Sequence, residues 1–198
     1  EPPSTVHPWV ELKSGFAYLR GNAVIPAIMC LAFLANLTAL PVSHGLLPVI
    51  AKDVYLTDEN GLAQLVAAFA LGALLGSLVT ATAFRGYRPG RTMVFFMLVW
   101  HLLVVIFGHT ETAAAGLVML IAVGVVQSFT MVSMSVLLFS VIAPEFRGRA
   151  GGVRMLAVYG LPMGLLAGGA LIEWIGISAT YNLFGFAGIM GTCFIVAR

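Results

Sequence analysis

The side chains that could do chemistry in this 198-residue chain are few. His44 and His101 can exchange protons near neutral pH. Asn36, Thr38, Ser43 and His44 fall in one apolar segment, and Gln127, Ser128, Thr130, Ser133 and Ser135 in another; they can give and accept hydrogen bonds but carry no fixed charge. Cys30 and Cys193 have neither CxxC spacing nor histidine neighbours, which marks them as packing residues rather than a metal or redox pair. The sequence contains no H-E-x-x-H, no G-x-x-x-x-G-K-[ST] and no paired aspartates inside an apolar segment. An enzyme is therefore disfavoured, and no cofactor, metal or nucleic acid is expected.

The elements that must hold these groups are apolar. Hydrophobic residues make up 60% of the chain and charged ones only 9%, with a mean hydropathy of +1.01. A soluble surface needs about 25% charged residues, so lipid is the expected solvent. Apolar runs near the roughly 20 residues that cross a bilayer occur at Val24 to Ala51, Leu62 to Phe84, Thr92 to Gly108, Leu117 to Ile142, Gly152 to Ile172 and Ile177 to Ala197. The expected fold class is all-α: a polytopic membrane protein with six transmembrane helices spread over residues 23–198. Pro26, Pro41 and Pro48 are candidate kinks in the long first span. Residues 1–22 read as a cytoplasmic linker with a short interfacial helix, because Trp9, Leu12, Phe16 and Leu19 share a helical stripe. The opening "EPPSTVHP" is no signal peptide, and a segment cut from a longer protein is expected.

Charge predicts orientation. Lys13, Arg20, Arg85, Arg88, Arg91, Arg147, Arg149, Arg154 and Arg198 fall on one side of the six spans, and only Lys52 on the other. The positive side is the cytoplasmic one, and an even number of spans puts both termini there. The stretch "VIAPEFRGRAGGVRMLAVYG" is then a cytoplasmic loop whose arginines serve first as anchors.

The spans also repeat as two triplets. Gly72 and Gly76 in the second span match Gly160, Gly164 and Gly168 in the fifth; small residues four apart let helices approach closely in lipid. The first member of each triplet carries most of the polar residues. Asn36, Leu40, Ser43 and His44 on one, and Gln127, Met131, Met134 and Ser135 on the other, are expected to wall a soft, weakly polar cavity. Hydroxyls bonded back to their own helices would equally explain the serines and threonines.

Three-helix repeats with polar first helices, glycine-rich second helices and an arginine-rich loop before the fifth span, together with "LLPVIAKDVY", "GLAQLVAAFALGALLGS", "PEFRGRAGG" and "GALIEWIG", resemble the C-terminal half of a major facilitator superfamily transporter. The similarity points to the bacterial efflux branch that contains the enterobactin exporter, and it runs from about Leu12 to Ala197. It implies helices 7 to 12 of a twelve-helix protein of the bacterial inner membrane, exporting small hydrophobic or amphiphilic molecules by alternating access. The partners would be lipid, the substrate, protons, and a second six-helix half or a second copy. With no ATP-binding signature, a proton gradient is the expected driver, its carrier acid lying in the other half. The loop "AFRGYRPGRT" keeps Arg88, Gly90 and Arg91 of the family's G-x-x-x-D-R-x-G-R-R element but has Tyr87 for the aspartate. A cytoplasmic gate is expected in which Glu145 pairs with Arg88 or Arg91, or with Arg147 or Arg149. The alternative reading is a structural or assembly membrane protein that transports nothing.

Overall fold

The computed structural model describes residues 24–83, 88–142, 155 and 157–198. Helices dominate them, and no strand occurs among them. In chain order they are α1 (Val24–Val54), α2 (Glu59–Ala83), α3 (Pro89–Phe107), α4 (Ala113–Val141), α5 (Gly160–Ile175) and α6 (Ile177–Ala197). Five are long and apolar enough to cross a membrane. The fifth expected span differs: α5 has 16 residues, about 24 Å, and of the residues before it in the expected span 152–154 and 156 lie outside the described ones.

Local chemistry sets the helix ends. Asp58 caps α2, its Oδ1 accepting from the Gly61 amide at 3.0 Å and its Oδ2 from Asn60 Nδ2 at 3.1 Å. Pro89 opens α3, where no amide donor is needed. Thr112 caps α4 by accepting from the Ala115 amide at 3.3 Å. Gly176 alone joins α5 to α6 at φ 82°, a conformation that side chains resist.

α1 is not a regular helix. It widens into π turns at Ala35–Ala39, Pro41–Gly45 and Ile50–Val54. Pro41 has no N–H to offer the Leu37 carbonyl four residues back. The Leu46 amide then reaches the Pro41 carbonyl, five residues back, at 3.0 Å. That leaves the Val42 carbonyl, its ordinary partner, to the Tyr181 hydroxyl of α6 at 2.7 Å. Where no water competes, a backbone carbonyl freed in one helix must find a donor on another. Of the expected kink residues, Pro41 opens the second π turn and Pro48 lies in the short α stretch Leu47–Val49 between the second and third, while Pro26 sits in the regular stretch Val24–Leu34.

The helices pack as α2 on α4, α3 on both α4 and α6, and α1 on both α5 and α6. The glycines make two of these approaches possible. A methyl group on Gly72 would strike the Ile121 carbonyl and one on Gly76 the Val125 carbonyl, both on α4. On the other side of the bundle, Gly160 meets the Phe33 carbonyl and Gly164 the Leu37 carbonyl, both on α1. Gly168 faces the Leu46 side chain instead. The expected packing glycines therefore all sit at helix contacts. Trp100, Tyr181, Phe107 and Met97 fill the centre, whereas Leu74, Leu78, Phe95, Leu166, Met190 and Phe194 lie exposed on the outer faces. Exposed apolar surface on every side suits a bilayer and not water.

Two outcomes check this picture. Gly72→Ala and Gly164→Ala should each cost about 1–3 kcal/mol by overpacking, whereas Gly169→Ala, which meets nothing within 4 Å, should gain up to about 1 kcal/mol of helix propensity; denaturant titration in detergent micelles reads all three. For Asp58, the Gly61 amide, then the Asn60 amide, hold the carboxyl below its ordinary range. Its stabilising effect is complete above the unfolded carboxyl's pKa and disappears as pH falls through the lower folded value. Hydrogen exchange at Gly61 should accelerate over that acid range, and Asp58→Asn should remove the pH dependence.

Candidate polar face between the first and fourth helices

Of the residues expected to wall a cavity, the structure brings His44 of α1 and Gln127 of α4 near each other. The His44 ring stands edge-on to Phe69 of α2, with centroids 4.1 Å apart. Three helices thus meet at one polar pair, and His44 is exposed. Further along α4, Met131 and Ser135 line an open groove of 570 Å³ with Val132, Val136, Phe139 and Ser140. The face is mostly apolar, with an imidazole, an amide and hydroxyls as its polar points. It can hydrogen-bond a neutral or amphiphilic molecule. Among the described residues no group of three His, Cys, Asp or Glu side chains could hold a metal.

Two expected wall residues point elsewhere. Ser43 is 2% exposed and accepts a hydrogen bond from Trp100 Nε1 of α3 at 3.2 Å. The π turn at Pro41–Gly45 changes the angular spacing along α1, so a helical wheel drawn at 3.6 residues per turn misplaces Ser43 on the face of Asn36. Met134 is also 2% exposed and belongs to the core, because it lies on the side of α4 opposite Ser135's groove. Asn36 and Leu40 are half-buried. Asn36 Nδ2 donates to its own helix at the Ala32 carbonyl, 2.8 Å away, and its Cβ lies beside Gly160. It is a helix-crossing residue as much as a wall residue.

Backbone bonding takes up several other hydroxyls. Ser135 Oγ donates to the Met131 carbonyl at 2.9 Å and Thr130 Oγ1 to Val126 at 3.0 Å. Ser128 instead reaches across to the Ala73 carbonyl of α2 at 2.7 Å. Ser133 Oγ is buried without a hydrogen-bond partner.

Arg88 and Arg91 lie exposed at the start of α3, with Gly90 between them. Glu145, Arg147 and Arg149, the other members of the expected gate, lie outside the described residues, as does the 1–22 linker.

Reading the sequence missed the inner contacts. His101, isolated in the sequence, is completely buried against Thr38 of α1. Tyr181 holds the carbonyl freed by the Pro41 turn. Signals for both were present: Pro41 in an apolar helix implies a carbonyl seeking a donor, and Gly188 on α6 opens the space the His101 ring occupies.

Ser43→Ala would strand the buried Trp100 N–H and should cost about 1–3 kcal/mol, while Gln127→Leu on the open face should change stability by less than about 0.5 kcal/mol. Thermal unfolding in lipid nanodiscs separates the two.

No known protein family, curated protein or solved structure matches this chain.

Proposed function

We propose that this chain is a six-helix half of a secondary active transporter of the major facilitator type, moving small hydrophobic or amphiphilic molecules by alternating access with proton coupling. The observation that carries the reading is a repeat in contacts rather than in residue types. Phe33, Leu37, Gly72 and Gly76 make up half of two close crossings; adding 88 to each number names Ile121, Val125, Gly160 and Gly164, which make up the other half. In each case a glycine pair on the second helix of one triplet rests on two carbonyls from the first helix of the other triplet. Two triplets related in this way are the building plan of many secondary transporters, whose binding sites lie at midplane on the first helices of such repeats. On this reading the binding site is formed by His44, Gln127 and the Met131–Ser135 groove.

One feature supports the orientation. Arg88 and Arg91 stand at the N-terminus of α3, where the helix dipole opposes positive charge; anchoring at a cytoplasmic membrane surface is a reason to keep them there. An open polar face on an otherwise lipid-like bundle calls for a second six-helix body across the cavity, on the same polypeptide or on another copy. The membrane would be the bacterial inner one, with both termini cytoplasmic, and the direction would be export.

One observation favours a second reading, an assembly protein without transport: Asn36, Thr130 and Ser135 already bond within their own helices, and Ser128 bonds between helices. The test is proton-gradient-driven movement of a fluorescent amphiphilic dye in proteoliposomes. Transport by the unsubstituted protein, with Gln127→Trp and Met131→Trp abolishing it while abundance and unfolding stay normal, is the expected result. No gradient-driven movement, or movement indifferent to both substitutions, favours the assembly reading.

A further inference from the structure

We propose that His101 is a proton-binding site inside the bundle, wired to α1 through a single hydroxyl. The ring lies on α3, 0% exposed. Its Nδ1 is 2.8 Å from the Met97 carbonyl, an oxygen that can only accept, so Nδ1 carries a hydrogen. Its Nε2 is 2.9 Å from Thr38 Oγ1, and the same Oγ1 is 2.7 Å from the Leu34 carbonyl. Thr38 has one hydroxyl hydrogen and two acceptors competing for it while the ring is neutral. When Nε2 gains a proton, the competition ends: Nε2–H donates to Thr38 Oγ1, and the Thr38 hydroxyl donates to Leu34.

The protonated state is fully hydrogen-bonded, whereas in the neutral state either Nε2 or the Leu34 carbonyl goes without the Thr38 hydrogen. With that hydrogen on Nε2, the two states differ by the turn of one O–H. Proton uptake breaks an O–H bond of hydronium and forms Nε2–H, while Nδ1–H stays in place; release reverses this. Removal from water disfavours the charged ring, and the Met97 carbonyl and Thr38 hydroxyl oppose that cost by accepting from it.

Among the described residues, no charged side chain faces the ring from the elements packed around it. On α1 its neighbour is Thr38; the titratable groups of that helix are Cys30, exposed, His44, turned to Gln127, and Lys52 and Asp53 in its last turn. α6 presents Gly185 and Gly188, with Gly188 directly against the ring. Its titratable groups are Tyr181, committed to Val42, and Cys193, exposed. α3 itself contributes Met97 and Trp100, the latter bonded to Ser43.

The consequence lies in α1. Leu34 is the last residue before the first π turn, Ala35–Ala39, so the proton on His101 decides whether the carbonyl at this junction holds a second hydrogen bond. For proton coupling of transport, this rests on the reading of α1 as a cavity helix; proton binding itself does not.

The measurement is nitrogen and carbon NMR of the full chain in lipid nanodiscs, labelled at histidine and at the Leu34 carbonyl, across about pH 4 to 8. His101 should keep Nδ1–H throughout and gain Nε2–H on acidification, and the Leu34 carbonyl resonance should move with the same midpoint in the unsubstituted protein. Thr38→Val should weaken proton binding about tenfold, in line with losing a hydrogen bond to a charged group, and Thr38→Ser should restore it. A Nε2 that stays unprotonated across the range, or a Leu34 carbonyl indifferent to the His101 midpoint, overturns the proposal even if Thr38→Val does not fold. Titration with the Leu34 response in a protein that moves no dye upholds the site and removes only the transporter reading.

Discussion

One side of this bundle, α3, α5 and α6, is arranged around the backbone of α1. A helix in lipid must satisfy its own carbonyls and amides, because no water will. Pro41 makes that impossible locally, and α1 responds by widening, handing the Val42 carbonyl to Tyr181 of α6. Leu37, the carbonyl Pro41 cannot serve, is the one on which Gly164 of α5 settles. The irregular helix thus sets where α5 and α6 must stand, and Ser43 and Thr38 then tie it to α3 through Trp100 and His101.

Against that polar framework, the close crossings rest on dispersion and shape. Helices in lipid gain no hydrophobic free energy from touching each other, so they associate through contact area and short polar bonds. Gly72 and Gly76 of α2 against α4, and Gly160 and Gly164 of α5 against α1, bring backbone to backbone. The approach also allows Ser128 to reach the Ala73 carbonyl across the α2–α4 crossing. Packing and hydrogen bonding reinforce each other at these places, which leaves the His44–Gln127 pair as polar capacity on the open face.

The chain therefore keeps two polar populations apart. One is internal, made of Thr38, Ser43, Trp100, His101 and Tyr181, and it holds α1 in its widened form. The other, around His44, Gln127 and Ser135, faces outward beside apolar side chains.

Much was legible in the sequence, and for clear reasons. Membrane depth, the helical class and most span positions follow from apolar run length, a local property that lipid translates directly into helices. The glycine contacts follow from i, i+4 spacing on regular helices, and Gly72, Gly76, Gly160 and Gly164 all meet a partner backbone. What the sequence could not disclose lies where the helix stops being regular. A 3.6-residue period puts Ser43 on the open face, but the π turns of α1 do not obey that period, and a helical wheel has no means of saying that Met134 lies on the side of α4 that meets the core. The meeting of His101 with Thr38, 63 residues apart, was decided only by the tertiary structure. Composition and spacing determine what each helix can offer; which carbonyl is freed, and which distant side chain stands within reach to take it, depends on how the helices cross.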